Sequence, residues 1–136
     1  MSLFNEKQKA QLLANGHRDN RDRDHAPVVK LILPGTGCVW LLSEIDPEDP
    51  DIAFGLCDLG TGFPELGSVS ISELQSLRFG EGRGVRQDDK FVAHFPMSVF
   101  AAARNEQSVT DDPYALVQAS KELANFNKRT QAPKPS

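Results

Sequence analysis

The stretch Val28-Val29-Lys30-Leu31-Ile32-Leu33-Pro34-Gly35-Thr36-Gly37-Cys38-Val39-Trp40-Leu41-Leu42-Ser43-Glu44-Ile45 decides the fold class. Two β-rich runs flank four residues that are built to turn. Pro34 pre-sets φ, and the glycines accept the positive φ that other residues resist. A connection this short predicts an antiparallel hairpin. Asp46-Pro47-Glu48-Asp49-Pro50-Asp51 then stops the second strand, because two prolines lack the ladder donor and four carboxylates repel one another. From Ile52 to Leu59 strand character resumes, with Ile52, Phe54 and Leu56 alternating onto one face. Gly60-Thr61-Gly62-Phe63-Pro64 breaks the chain again, and Gly67 to Ile71 forms a brief strand that runs into a helix. There Ser70 is the expected N-cap, Glu73 completes a capping box, and Ile71, Leu74 and Leu77 lie at helical spacing. The result is an α+β fold: a short antiparallel meander of three to five strands with a few short helices packed on it. Trp40, the lone tryptophan, sits mid-strand and is expected to bury its ring near Leu74.

Upstream, Asn5 and Gln8 have capping-box spacing, Leu12 and Leu13 mark a docking face, and Gly16 supplies a stop, which together predict a short first helix. The run Arg18-Asp19-Asn20-Arg21-Asp22-Arg23-Asp24-His25 has nothing apolar to bury and reads as a solvated linker. Downstream, Arg78 to Lys90 is rich in glycine and charge and reads as a loop, and Lys90 to Phe95 reads as a last strand. Met97, Phe100 and Ala101 share a helical face behind Pro96, and Asp112-Pro113 starts a final helix. The expected division is a single α+β domain over 1–110, an additional C-terminal helix over 111–127 and a flexible tail over 128–136.

With 136 residues, 39% apolar and 25% charged, the chain has the composition of one globular domain with one core. No apolar run reaches membrane-span length. The first residues lack the apolar core of a signal peptide, and Cys38 and Cys57 have no metal-ligand spacing, so a reducing cytoplasm is the expected setting. The net charge of −4 is unevenly spread. Between Leu31 and Leu77 stand eight acids and no lysine or arginine, a segment of −8, which leaves +4 for the two flanks.

Trp40 to Gly60, then Phe63-Pro64-Glu65-Leu66-Gly67-Ser68-Val69-Ser70 with Glu73-Leu74, form a signature that resembles a small domain-of-unknown-function family. Val28-Val29-Lys30-Leu31, the Leu12-Leu13-Ala14-Asn15-Gly16 helix end and Pro96 to Ala101 fit the same pattern, over roughly residues 3 to 104. Members resemble single-domain proteins encoded on bacterial plasmids and integrative elements, often near antirestriction and plasmid-maintenance genes. The resemblance implies that genetic setting. It carries no catalytic residues to transfer.

The chemistry-bearing residues assemble no catalytic or metal constellation. His17, His25 and His94 lie in separate segments, where zinc would want closely spaced pairs. Cys38 and Cys57 fall on paired strands and read as small core residues close to each other, with a redox or metal role as the alternative. Gly80-Glu81-Gly82-Arg83-Gly84 lacks the preceding strand and following helix of a phosphate loop. Asp58 and Glu65 flank a turn and suit backbone capping; a general acid/base pair would need a partner of perturbed pKa. No cofactor is implied. The acids Glu44, Asp46, Glu48, Asp49, Asp51, Asp58 and Glu65 form the candidate partner-binding set.

Three functions are ordered by these features. The first is a non-enzymatic interaction module whose acidic sheet-and-loop surface docks a basic DNA-processing or defence protein. The second is a nucleic-acid-binding accessory protein using Arg18, Arg21 and Arg23 with Arg78, Arg83, Arg86 and Lys90. The third is a small hydrolase or metal-dependent enzyme.

Overall fold

The computed structural model describes residues 2–105 and 108–131. Helix α1 (Glu6–Gly16) is followed by β1 (Val29–Ile32), β2 (Cys38–Ile45), β3 (Ile52–Leu59), β4 (Glu65–Ser70) and helix α2 (Ile71–Ser76). Three two-residue strands come next: β5 (Arg78–Phe79), β6 (Arg83–Gly84) and β7 (Arg86–Gln87). Helix α3 (Met97–Ala102), the pair β8 (Arg104–Asn105) and β9 (Ser108–Val109), and helix α4 (Pro113–Gln131) complete the chain. The main sheet has five strands in the order β4-β3-β2-β1-β7, every neighbour antiparallel, so the α+β meander read from the sequence is the observed fold.

Strand β2 is the axis of the molecule because both of its faces are covered. Trp40, Leu42 and Ile45 enter one core with Val29, Leu31, Ala53, Leu74 and Leu12 of α1. Leu41 enters the other with Leu56 and with Met97, Val99, Phe100, Leu116 and Ala119 of the last two helices. The strand spacing of two would put Leu42 and Ile45 on opposite faces. An irregularity at Ser43 resets the register, so that Leu42 pairs with Gly55 and Ile45 with Ala53. The bulge directs the Ser43 carbonyl toward α1, where the buried Asn15 amide donates to it at 2.9 Å. Gly16 closes the same contact. A Cβ there would lie 1.9 Å from the Ile45 carbonyl oxygen, so only glycine lets α1 settle onto β2.

The N-caps form as their spacing predicts, but the capping box expected of Glu73 at α2 does not close. Asn5 and Gln8 make the reciprocal capping box of α1, and Ser70 accepts from the Glu73 N–H at the start of α2. At α2 the carboxylate serving the first turn is that of Asp51, which accepts from the Ser72 N–H at 2.9 Å.

Four local readings change. The segment 78–90 is more than a loop. Gly80 and Gly82, at φ of 64° and 80°, turn the chain tightly enough to pair β5 with β6, and β7 then pairs with β1 as the fifth strand. From Lys90 to Phe95 the chain forms no strand. Phe91, Ala93 and Phe95 alternate inward as a strand would, but they pack on the second core, while β7 already occupies the β1 edge. The charged run 18–25 buries no apolar side chain, as its composition requires, yet it is tied down. Pro96 at the N-cap of α3 makes no side-chain cap, and Asp24 takes its place, accepting from the Ser98 N–H at 3.0 Å and from its hydroxyl. Helix α4 runs on to Gln131 through the first residues of the expected tail, and 132–136 lie outside the described residues.

Trp40 is 2% exposed and shares its core with Leu74, as its mid-strand position predicts. Trp40→Ala is expected to cost about 3–5 kcal/mol, measured by denaturant unfolding followed by circular dichroism. A loss below about 1 kcal/mol would mean that the ring contributes no packing.

Candidate functional site

Two charged regions stand at opposite ends of α1. Gly16, its last residue, rests on Ile45, next to the β2–β3 turn that carries the acids. Its first residues and the preceding Ser2 to Asn5 line a cleft at the other end, about 16 Å away along an eleven-residue helix.

The acidic end is a stiff hairpin tip. The backbone closes through Asp46 N–H to Ile52 O at 2.9 Å and Ile52 N–H to Asp49 O at 2.9 Å. The Asp46 carboxylate accepts from the Glu48 N–H at 2.9 Å, an Asx turn that holds the first residue of the tip. Asp46, Glu48 and Asp49 are exposed, and among the described residues none of them meets a cationic side chain within 4.0 Å. Glu44, half-buried at the base of the tip, has its pKa raised. Burial is the main cause, opposed by the nearby charges of His25 and Arg21 and assisted by Asp22.

The other candidate acids are placed elsewhere. Asp51 faces α2 and accepts from Ser70 Oγ at 2.6 Å, Ser72 Oγ at 3.0 Å and the Ser72 N–H, and these bonds lower its pKa. Asp58 is 2% exposed. Its two oxygens accept from the Gly60 N–H at 2.9 Å and the Val109 N–H at 3.1 Å. That is the turn-capping role its sequence position suggests, extended across the chain to β9. Glu65 is exposed but opens β4, at the far end of the sheet from the tip. The tip therefore gathers Glu44, Asp46, Glu48 and Asp49, and leaves Asp51, Asp58 and Glu65 outside it.

The basic flanks are also divided. Arg21 lies with Glu44 and Asp46 in a small hollow beside the tip, so this arginine of the first group stands at the acidic end. Arg78, Arg83 and Arg86 instead line the cleft at the start of α1, a space of about 1020 Å³. Its side is held by paired amides. Gln8 donates to Gln87 at 2.7 Å, Gln87 donates back at 2.9 Å, and Gln87 also donates to the Leu3 carbonyl at 3.0 Å. This convergence was hidden in the sequence, because Arg78 to Arg86 shows no strand pattern, and only the pairing of β7 with β1 brings it beside α1.

Neither region holds a metal constellation: among the described residues no three His, Cys, Asp or Glu side chains gather where an ion could be held. Cys38 stands opposite Leu59 and Cys57 opposite Trp40, so the two thiols are diagonal neighbours on one face, and both are free. Burial raises the Cys57 pKa, which makes it a poor nucleophile. No helix among the described residues is long and apolar enough to cross a membrane.

Fold and surface define a small α+β domain with a doubly covered antiparallel sheet and charge displayed at its two ends. Residues 3–110 match the model of the family described as "Protein of unknown function (DUF2958)", and the chain belongs to that family. The match ends at Thr110, so α4 lies beyond it. No curated protein and no solved structure matches the chain.

The placement of Asp51 and Asp58 has separate consequences. The folded pKa of Asp51 is depressed, so its contribution to stability is present above the unfolded value of about 3.9 and is lost as the pH falls through the folded value. The stability gap between wild type and Asp51→Ala should hold from neutral pH to about pH 5 and close below about pH 4. Unfolding curves across that range check it. Asp58→Ala strands two backbone N–H groups and is expected to cost at least about 2 kcal/mol, against near-neutrality for Glu65→Ala, in the same assay.

Proposed function

We propose that this chain is a non-enzymatic interaction module, a cytoplasmic accessory protein of a bacterial mobile element, and that the acidic hairpin tip docks a basic protein partner. The observation that carries the reading is the stiffness of the tip. Asp46, Glu48 and Asp49 stand exposed on a turn closed by four hydrogen bonds, and among the described residues none of them meets a cationic side chain within 4.0 Å. Charges held this way lose little conformational freedom on binding. They steer an oppositely charged partner and speed its arrival. The family resemblance supports the genetic setting, in which DNA-processing and defence proteins supply basic partners. The two free thiols suit a reducing compartment.

The test neutralises the tip without disturbing it. In the combined variant Glu44→Gln, Asp46→Asn, Glu48→Gln, Asp49→Asn, the asparagine at 46 keeps an oxygen for the Glu48 N–H. Folding should be intact, because exposed like charges contribute little and repel one another. Glu44→Gln should be neutral or stabilising at pH 7: a raised carboxyl pKa means that the ionised form is the less stable one in the fold. Wild type used as bait in host extract should capture a basic protein, and the variant should bind it more slowly and with a flatter salt dependence. Undiminished capture by a folded variant would overturn the proposal.

A further inference from the structure

The cleft at the start of α1 is independent of the tip and carries the opposite charge. Arg78, Arg83 and Arg86 line it against the lone acid Asp89. All three arginines are exposed, and among the described residues none meets a carboxylate within 4.0 Å. Arg78 is partly engaged, donating to the Gln75 and Leu77 carbonyls at 2.7 Å each, which leaves Arg83 and Arg86 as the free forks. A bare surface would carry lysines as readily. Guanidinium forks match the paired oxygens of phosphate, and they do so without a strongly held hydration shell. A volume near 1020 Å³ is at the upper end for a small-molecule site and far exceeds a single inorganic phosphate.

Beside the arginines stands an aromatic ring. Phe79 is 46% exposed and pairs with Arg83 across the β5–β6 ribbon. Both side chains reach over Gly35 in the β1–β2 turn: a Cβ there would meet the Phe79 ring at 3.0 Å and the Arg83 guanidinium at 3.3 Å. Phe79 lies outside the cleft lining but beside Arg83, which lines it. A ring and a guanidinium side by side at the rim of an arginine-lined cleft provide a stacking face together with a backbone track, the two elements that hold single-stranded nucleic acid. At the other end of α1 the tip repels phosphate, so a strand is confined to the cleft.

We propose that the cleft binds single-stranded nucleic acid, with phosphates on Arg83 and Arg86 and a base stacked on Phe79. The test titrates the full chain with a labelled short oligothymidylate over a salt series. Saturable binding is expected, with log K falling against log salt at a slope of roughly −1.4 for two phosphate contacts. Arg83→Gln and Arg86→Gln should each weaken binding by about tenfold and flatten the slope by about 0.7. Arg86→Lys, which keeps the charge and loses the fork, should fall between that variant and wild type. Phe79→Ala should lose at least about fivefold in affinity with the slope unchanged. Arg18→Gln, at the far end, should match wild type. The Trp40 emission of each variant reports that the fold is kept. Duplex of the same sequence should bind more weakly, because its bases are stacked away from Phe79. Four outcomes would each overturn the proposal: no binding at low salt, unchanged affinity in both folded glutamine variants, equal affinity for thymidine monophosphate, or tighter binding of an oligoglutamate peptide.

Discussion

Strand β2 cannot be exposed on either face, and the rest of the molecule follows from that constraint. Trp40, Leu42 and Ile45 need one apolar layer, and Leu41 needs another. Each large side chain among them contributes about 1.5–3 kcal/mol only if fully removed from water. A two-stranded hairpin cannot do this, so the chain covers one face with α1 and α2 and the other with α3 and α4. Antiparallel sheets commonly leave one face to solvent. Here the sequence of β2, with five apolar residues from Cys38 to Leu42 in unbroken succession, forbids it.

Covering both faces leaves the ends and edges of the sheet accessible, and charge collects at the two ends. The β2–β3 turn brings the acids to one end, and the β1–β7 pairing brings three arginines to the other. The helix between them is oriented to match: the positive end of its dipole meets the arginine cleft, where an anion is favoured, and its negative end lies toward the acidic tip. A small net charge thus conceals two fields of opposite sign.

Several acids in the middle of the chain belong to the architecture. Asp51 ties the β2–β3 turn to the first turn of α2, and Asp24 crosses from the α1 side of the sheet to cap α3 on the other. Asp58 does the same for the last short strand, taking the Val109 N–H into the second core. In each case a carboxylate meets backbone donors that have no partner of their own, at a helix start or a strand edge. The −8 of the segment from Leu31 to Leu77 therefore overstates the acidic surface.

The sequence by itself determined the local elements whose cause is local. Pro34 to Gly37 turns because of its backbone preferences, Asn5 and Ser70 cap because a side-chain oxygen lies three residues before an orphan N–H, and the alternation of β3 follows from the pleat. It also placed the acidic turn, since two prolines and four carboxylates leave a segment no other role. What tertiary structure alone decided is everything that depends on a partner distant in the chain. The bulge at Ser43 answers to Asn15, the fifth strand forms because β1 offers it an edge, and Phe91 to Phe95 stays off the sheet because its inward side chains pack on the second core. The same holds for the charges. An aspartate reads identically in sequence whether it faces water, like Asp46, or two backbone amides, like Asp58. Three arginines scattered from 78 to 86 become one cleft only when β7 docks beside α1, because long-range hydrogen bonding, and no local preference, sets where those side chains meet.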